Sequence, residues 1–299
     1  MTMFSGGFAD LMAPGLFDVI KDRYKQWPEE FSKLLNVKKS TRQYEQSQAV
    51  EGIAAAPQKN EGASVNFANL TQGYKATATH KTFAQGARIT REAYDDDLYS
   101  VFKEKLGTYL ARSMRQRQEV LGANVFNNGF DTTNYPGADA LSLFNTAHPF
   151  KSGGTFSNKL TVDADLASGS MEDMLTLLET TQEANSINIM LIPKLLAIAP
   201  ANRWTASVLL ESALKPGVAN NDKNPLLDLD LSYMVDHFFT DADAWFVLSD
   251  AHSLLFWERQ TPKLEADDDF DTGDAKMKLV GRFSTMWELP TGVVGTSGA

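Results

Sequence analysis

Apolar positions recur most regularly between Asp95 and Asn128. Leu98, Phe102, Leu106, Leu110 and Met114 follow one another every four residues, and Val101 and Tyr109 fill the same stripe at i+3 spacing. That period predicts a helix buried along one side. Lys103, Arg112, Arg115, Gln116 and Glu119 occupy much of the opposite side. Asp95, Asp96 and Asp97 stand at the start and Arg112, Arg115 and Arg117 toward the end, the charge order a helix dipole favours. Gly129 is placed to stop the helix. At 1.5 Å per residue such a rod would be roughly 50 Å long, more than a small compact domain spans.

Elsewhere the pattern is shorter-ranged. Residues 1–13 read as a flexible end, and one or two amphipathic helices follow from Gly15 to Leu35, divided at Trp27-Pro28. Residues 36–61 are polar and weakly patterned, a long arm with little core of its own. Ser64–Leu70 and Tyr74–Ile89 alternate partially and are rich in Thr, Val, Phe and Tyr, which predicts a hairpin turning near Gly73. With few large apolar residues, this hairpin needs a partner surface. Asn127–Asn158 is dominated by turn residues. From Ser168 the pattern is α/β. Ser170 caps a helix over 171–184, and a second helix covers 201–214. Strands are expected at 195–199, 226–235, 244–248, 254–258 and 276–289, with an acidic turn at 265–274.

The chain has 299 residues, 43% hydrophobic and 22% charged, which suits about two globular domains. Its formal charge of -10 argues against an extensive nucleic-acid-binding surface. With no cysteine, disulfides, thiolate catalysis and Cys-ligated metals are excluded. No apolar run reaches the roughly 18 residues a membrane span needs.

Candidate chemistry is sparse. His80, His148, His237 and His252 show no metal-ligand spacing. Asp267, Asp269 and Asp271 alternate as in a calcium loop, but Gly273 falls one position late and Lys278 stands where a bidentate Glu belongs. A solvated acidic turn is the expectation there, with a weakly held cation as the alternative. The cluster Arg112, Arg115 and Arg117 is expected to pair with acidic neighbours and not with nucleic acid. No phosphate-binding or nucleophile motif is present. No cofactor, metal site or catalytic residue is expected.

The order of segments, however, resembles that of tailed-bacteriophage major capsid proteins, most closely the Mu-like major head subunits with the Hong Kong ninety-seven type fold. The likeness is carried by FAQGARITREAYDDDLY running into the long helix, RQEVLGANVFNNGF at its end, LFNTAHPFKSGGTFSNKL after it and the terminal LVGRFSTMWELPTGVVGTSGA. It extends over about residues 36–299.

The resemblance implies an α+β fold with an N-terminal arm (1–57), an extended β-hairpin loop (58–91), and a peripheral domain (92–165) built on a spine helix at 95–128. An axial α/β domain (166–258), strands returning to the peripheral domain (259–290) and a C-terminal tail (291–299) complete it. It implies a structural protein that assembles as hexamers and pentamers into an icosahedral shell around the genome. An encapsulin-like compartment of the same fold is the alternative. Expected partners are further copies of the chain, a separate scaffolding protein (the arm being short), a portal protein, packaged double-stranded DNA in non-specific contact, and a decoration protein in some relatives. Assembly in the host cytoplasm and residence in the virion follow. The subunit-interface candidates are Phe67, Tyr74 and Phe83 on the hairpin, Arg88, Arg91, Asp95, Asp96 and Asp97 at its base, and Trp204 in the axial domain. Nothing singles out Lys75 or Lys81 for the covalent cross-linking known in some relatives.

Overall fold

The computed structural model of the chain describes residues 28–96, 101–215, 222–269 and 271–299. The expectations for residues 1–13, for the helix starting at Gly15 and for Asp97 and Leu98 lie outside the described residues. In chain order the first elements are helix α1 (Phe31–Leu34), strands β1 (Asn36–Lys39), β2 (Tyr44–Glu51), β3 (Thr71–Thr79) and β4 (Lys81–Ile89), and helices α2 (Arg91–Asp95) and α3 (Val101–Asn127). Strands β5 (His148–Pro149) and β6 (Thr155–Phe156) precede helix α4 (Ser168–Glu179). Then come β7 (Gln182–Glu183), β8 (Ile187–Asn188), β9 (Pro193–Ile198) and helix α5 (Arg203–Glu211). Strands β10 (Ser232–Val235), β11 (Trp245–Ser249), β12 (Leu254–Asp268), β13 (Ala275–Trp287) and β14 (Val293–Thr296) follow.

The chain divides into two compact units. The first comprises the described part of residues 1–45 with 79–122 and 256–285, and the second comprises 46–78, 123–255 and 286–299. The boundaries fall inside β2, β3, α3, β12 and β13, so the units are not consecutive blocks of sequence.

In the first unit the sheet order is β1-β12-β13-β4. β4 and β13 run antiparallel, with Ile89 opposite Ala275 and Lys81 opposite Phe283. Alternation along β13 buries Met277, Leu279 and Phe283. Phe283 meets Phe256 with ring centroids 5.7 Å apart, and Phe256 meets Phe31 of α1 at 4.5 Å. α3 supplies the buried Leu110 and Met114, as its period predicts. Three of its expected positions are corrected. Tyr109, assigned to the apolar stripe, is 60% exposed, while Arg115 and Glu119, assigned to the solvated side, are 4% and 3% exposed.

The second unit holds the sheet β10-β9-β11-β14, with β9 and β10 parallel and the other pairs antiparallel. One face carries Leu196, Ile198, Trp245, Val247 and Val294 against Met171, Met174 and Leu178 of α4 and Ala206 and Leu209 of α5. On the other, Phe246 meets Phe126, Phe144 and Phe239 with centroids 5.1–5.4 Å apart. Those rings explain two glycines. A Cβ on Gly295 would lie 2.6 Å from Phe246 and 2.9 Å from Phe144, and one on Gly129 would lie 2.7 Å from Phe144. Gly129 does follow the end of α3, but close ring packing is what excludes a side chain there.

Other expectations need correction. Ser64–Leu70 forms no strand. The partner of β3 is β2, from the segment read as an unstructured arm, and residues 52–70 connect the two. Gly73 lies inside β3 and not at a turn, and a Cβ added to it would lie 3.0 Å from the Ala49 side chain on β2. Ser170 is the third residue of α4, not its cap; its hydroxyl accepts from Ala167 N–H and donates to Asp165 C=O. Residues 225–228 turn as a short 3₁₀ helix before β10, and the strand expected at 254–258 continues to Asp268. Within 291–299, read as a tail, β14 is a buried edge of the second unit's sheet.

Replacing Gly295 by Ala forces both phenyl rings to move. Overpacking of this kind costs about 1–3 kcal/mol. The urea midpoint of Gly295→Ala is expected to fall accordingly, and an unchanged midpoint would contradict the assigned packing.

Candidate assembly surfaces

The passage from Leu143 to Leu160 is the most distinctive in the sequence, and two of its polar residues, Asn158 and His148, are buried. The Asn158 amide donates to Leu143 C=O at 2.7 Å and Pro290 C=O at 3.0 Å, while its carbonyl accepts from Asn145 N–H at 2.8 Å. One buried side chain thereby satisfies three backbone groups. His148 is buried with Nδ1 2.6 Å from Asp139 Oδ2 and Nε2 3.2 Å from Leu143 C=O. Its ring stacks on Phe156 at 5.1 Å. This is a structural role and offers no reactive group to a substrate.

The turn between β5 and β6 then grips the base of the β2–β3 ribbon. Lys151 and Ser152 each donate a backbone N–H to the buried Glu51 carboxylate at 2.7 Å. Gly153 and Gly154, at φ +105° and +86°, give the turn its shape. Burial of Glu51 opposes its ionisation, yet bonds from Ser152 and from these two amides outweigh that and hold its pKa below the usual value. Lys151 Nζ lies 5.0 Å from the Tyr74 ring.

Beyond this clamp, residues 52–70 run without regular structure. Phe67 is 90% exposed, and Val65 and Leu70 are exposed with it. Trp204 on α5 is 77% exposed, with Val208 exposed one turn later. The other aromatic candidates have partners in their own subunit: Tyr74 carries Lys151, and Phe83 stacks on Phe283 at 6.2 Å with Arg117 5.4 Å from its ring.

At the end of the first unit's sheet, Arg88 forms an ion pair and a hydrogen bond with the buried Asp274. Lys276 pairs with Asp269 at 2.5 Å, and Lys278 with Glu265 at 3.0 Å. Three carboxylates of the acidic turn, Glu265, Asp269 and Asp274, are therefore paired with neighbours on its own and adjacent strands. No cluster of three or more metal-ligating side chains occurs among the described residues. Arg91 and Asp96 are exposed, while Asp97 and the side chain of Asp95 lie outside the described residues.

Two polar clusters in the first unit were not legible in the sequence. Arg115 pairs with Glu29 at 2.7 Å, and Glu119 accepts from Phe31 N–H at 2.8 Å and Glu30 N–H at 3.2 Å. A carboxylate from α3 thus caps α1, whose own flanking side chain makes no cap. The second cluster centres on His80. The hydroxyl of Ser40 donates to Glu45 at 2.6 Å, so His80 Nε2 donates to Ser40 Oγ at 3.1 Å and Nδ1 accepts from Ser284 at 2.9 Å. Burial, then the charges of Arg259 and Arg282, lower the His80 pKa against an opposing pull from Glu45. A neutral ring fits this chain of bonds. Because His80 donates to Ser40, it is not arranged to take that hydroxyl's proton.

A family model described as phage capsid protein matches residues 74–295. Among solved structures, the capsid of an empty GTA particle computed with C5 symmetry has a TM-score of 0.61 at 12% identity, covering 91% of this chain and 90% of its own. A structure from Mycobacterium phage Adephagia has a TM-score of 0.58 at 11% identity, covering 91% of both chains. A virus-like particle from Pyrococcus furiosus has 0.53 at 12%, covering 95% of this chain and 98% of its own. At these identities the likeness speaks for the fold, which is the expected α+β capsid type. None of these matches singles out the Mu-like subgroup. No curated protein sequence matches the chain.

The cap on α1 carries a measurable pH dependence. Burial pushes the Glu119 pKa up from 4.5 to about 7, although the Phe31 and Glu30 amides and Arg115 pull the other way. The folded chain therefore keeps this proton to higher pH than the unfolded chain. Its contribution is full below pH 4.5 and declines as pH rises through about 7. Relative to Glu119→Gln, the wild type is expected to lose on the order of 3 kcal/mol across that window. Parallel pH profiles of urea stability for the two proteins would contradict the assignment.

Proposed function

The chain belongs to the phage capsid protein family and is a phage major capsid protein, and we propose that its copies associate as hexamers and pentamers into the icosahedral shell that encloses the genome. The observation that carries this reading is the ribbon-borne segment 52–70. Its base is fixed by Glu51 while Val65, Phe67 and Leu70 stand in solvent. A large apolar side chain held out in this way marks a surface that a partner covers. Trp204 and Val208 form a second such surface.

In this reading residues 1–57 are an arm, 58–91 an extended loop, 92–165 and 259–290 the peripheral domain with its spine helix at 95–128, and 166–258 the axial domain, while 291–299 carry the buried edge strand β14. The base of the ribbon is supplied by Tyr44–Glu51, within the arm. Phe67 and Trp204 meet neighbouring copies directly. Tyr74, Phe83 and Arg88 act through the partners they hold within their own subunit, and Arg91 and Asp95–Asp97 lie at the base of the loop. Scaffolding, portal and decoration proteins and packaged DNA are the further partners proposed, with assembly in the host cytoplasm and no catalytic activity. The net charge of -10 suits a wall that confines DNA without binding it tightly. Among the described residues no helix is long and apolar enough to cross a membrane.

The similarity to a virus-like particle from Pyrococcus furiosus supports a second reading, a protein compartment of the same fold. Particle contents separate the two: DNA is expected, and an enzyme cargo without DNA would favour the compartment.

Expression with and without the neighbouring scaffold candidate is expected to give closed shells, or hexamers and pentamers that convert to shells, by negative-stain microscopy and sedimentation. Phe67→Asp should leave the subunit folded and raise the concentration needed for assembly by roughly tenfold or more, since burying a Phe contributes about 1.5–3 kcal/mol. Wild-type protein that stays monomeric or dimeric in every condition would contradict the shell, and undiminished assembly of the variant would contradict the role of Phe67.

A further inference from the structure

The sheet of the first unit presents a group of cationic side chains without acidic partners. Arg259 on β12 and Arg282 on β13 both lie close enough to His80 to depress its protonation. Among the described residues neither guanidinium has a hydrogen bond or a carboxylate within ion-pair distance. The Nε of Arg282 is buried without an acceptor, as is the indole Nε1 of Trp257, two residues before Arg259. Lys38 on β1 lies over the Trp257 ring at 5.8 Å. The carboxylate that His80 also senses, Glu45, is occupied: it takes the Ser40 hydroxyl at 2.6 Å and faces Arg42 at 3.8 Å.

Two guanidinium groups without a carboxylate, one of them with its Nε buried, and a buried indole N–H on one sheet offer a site for an anion. Four other cations in this unit are matched: Arg88 with Asp274, Arg115 with Glu29, Lys276 with Asp269 and Lys278 with Glu265. Building on the shell reading above, we propose that the Lys38, Trp257, Arg259 and Arg282 face receives carboxylate side chains from a second copy of this chain. A guanidinium binds a carboxylate through two parallel N–H donors, and the flat indole beside it limits competing water. The chain has carboxylates to give, with 38 Asp and Glu against 28 Lys and Arg. A DNA backbone fits the site less well, because a long polyanion meets the rest of a subunit of charge -10 while a single side chain does not.

The test uses Arg259→Lys and Arg282→Lys, which keep the charge and introduce a primary amine. Particles are assembled from a mixture of isotope-labelled and unlabelled protein and treated with a carbodiimide. The reagent activates a carboxylate, and the amine displaces it to form an amide. Mass spectrometry is expected to find isotope-mixed cross-links, hence between copies, joining position 259 or 282 to an Asp or Glu. The double variant Arg259→Ala/Arg282→Ala, with its thermal unfolding checked against wild type, is expected to raise the assembly threshold roughly tenfold at moderate salt, the equivalent of about 1.4 kcal/mol. Normal particles of the Arg259→Lys and Arg282→Lys variants without a cross-link between copies at either position would overturn this inference and leave the shell standing. Particles of the double alanine variant that assemble as wild type but retain less DNA would overturn it in favour of phosphate. Failure of the wild type to assemble at all would overturn the shell reading and this inference together.

Discussion

The amide of Asn158 holds the second unit's most irregular passage in place. By satisfying Leu143, Asn145 and Pro290 it lets a turn-rich segment lie buried without unpaired backbone groups. Phe144 is thereby set among Phe126, Phe130 and Phe246. His148 is fixed between Asp139 and Leu143 C=O, and the following turn can present Lys151 and Ser152 N–H to Glu51. Glu51 ends β2, and the ribbon it anchors bears the exposed Phe67. A chain of buried hydrogen bonds thus runs from the core to the base of the segment proposed to touch a neighbour.

That arrangement separates rigidity from stickiness. The ribbon has little apolar burial of its own: β2 alternates exposed and half-covered residues, and its cross-strand partners include Gln46 with Thr77 and Gln48 with Gln72. Two strands of this kind are marginal alone. The Glu51 clamp supplies the missing restraint through polar bonds, leaving Val65, Phe67 and Leu70 outside the subunit's own core. In the first unit the same device appears at Glu119, where a buried carboxylate ties the start of α1 to α3. There burial dominates over the bonds, so the tie is sensitive to pH near neutrality.

What the sequence made legible follows from the range of the interactions. Leu110 and Met114 could be placed because a helical period is a local signal. The α/β alternation from Ser168 onward was equally local, and β9, β11 and β13 lie close to where it put them. Arg115 and Glu119 could not be placed, because Phe31, the residue Glu119 caps, is 88 residues away. Ser64–Leu70 alternates as a strand does but has no strand beside it, whereas polar Tyr44–Glu51 becomes a strand because β3 lies alongside. Among the surface candidates, Phe67 and Trp204 are exposed as an interface role requires. Tyr74, Phe83 and Arg88 have partners within the subunit that residue type alone could not reveal.

The central claim is that residues 52–70 are free in the subunit and covered by a neighbouring copy in the shell. Hydrogen exchange measures this directly, peptide by peptide, in unassembled protein and in purified particles. Peptides spanning Val65, Phe67 and Leu70 are expected to exchange within seconds in the subunit and at least tenfold more slowly in the particle, while those around Asn158 are protected in both. Equal exchange of residues 52–70 in the two states would contradict the account.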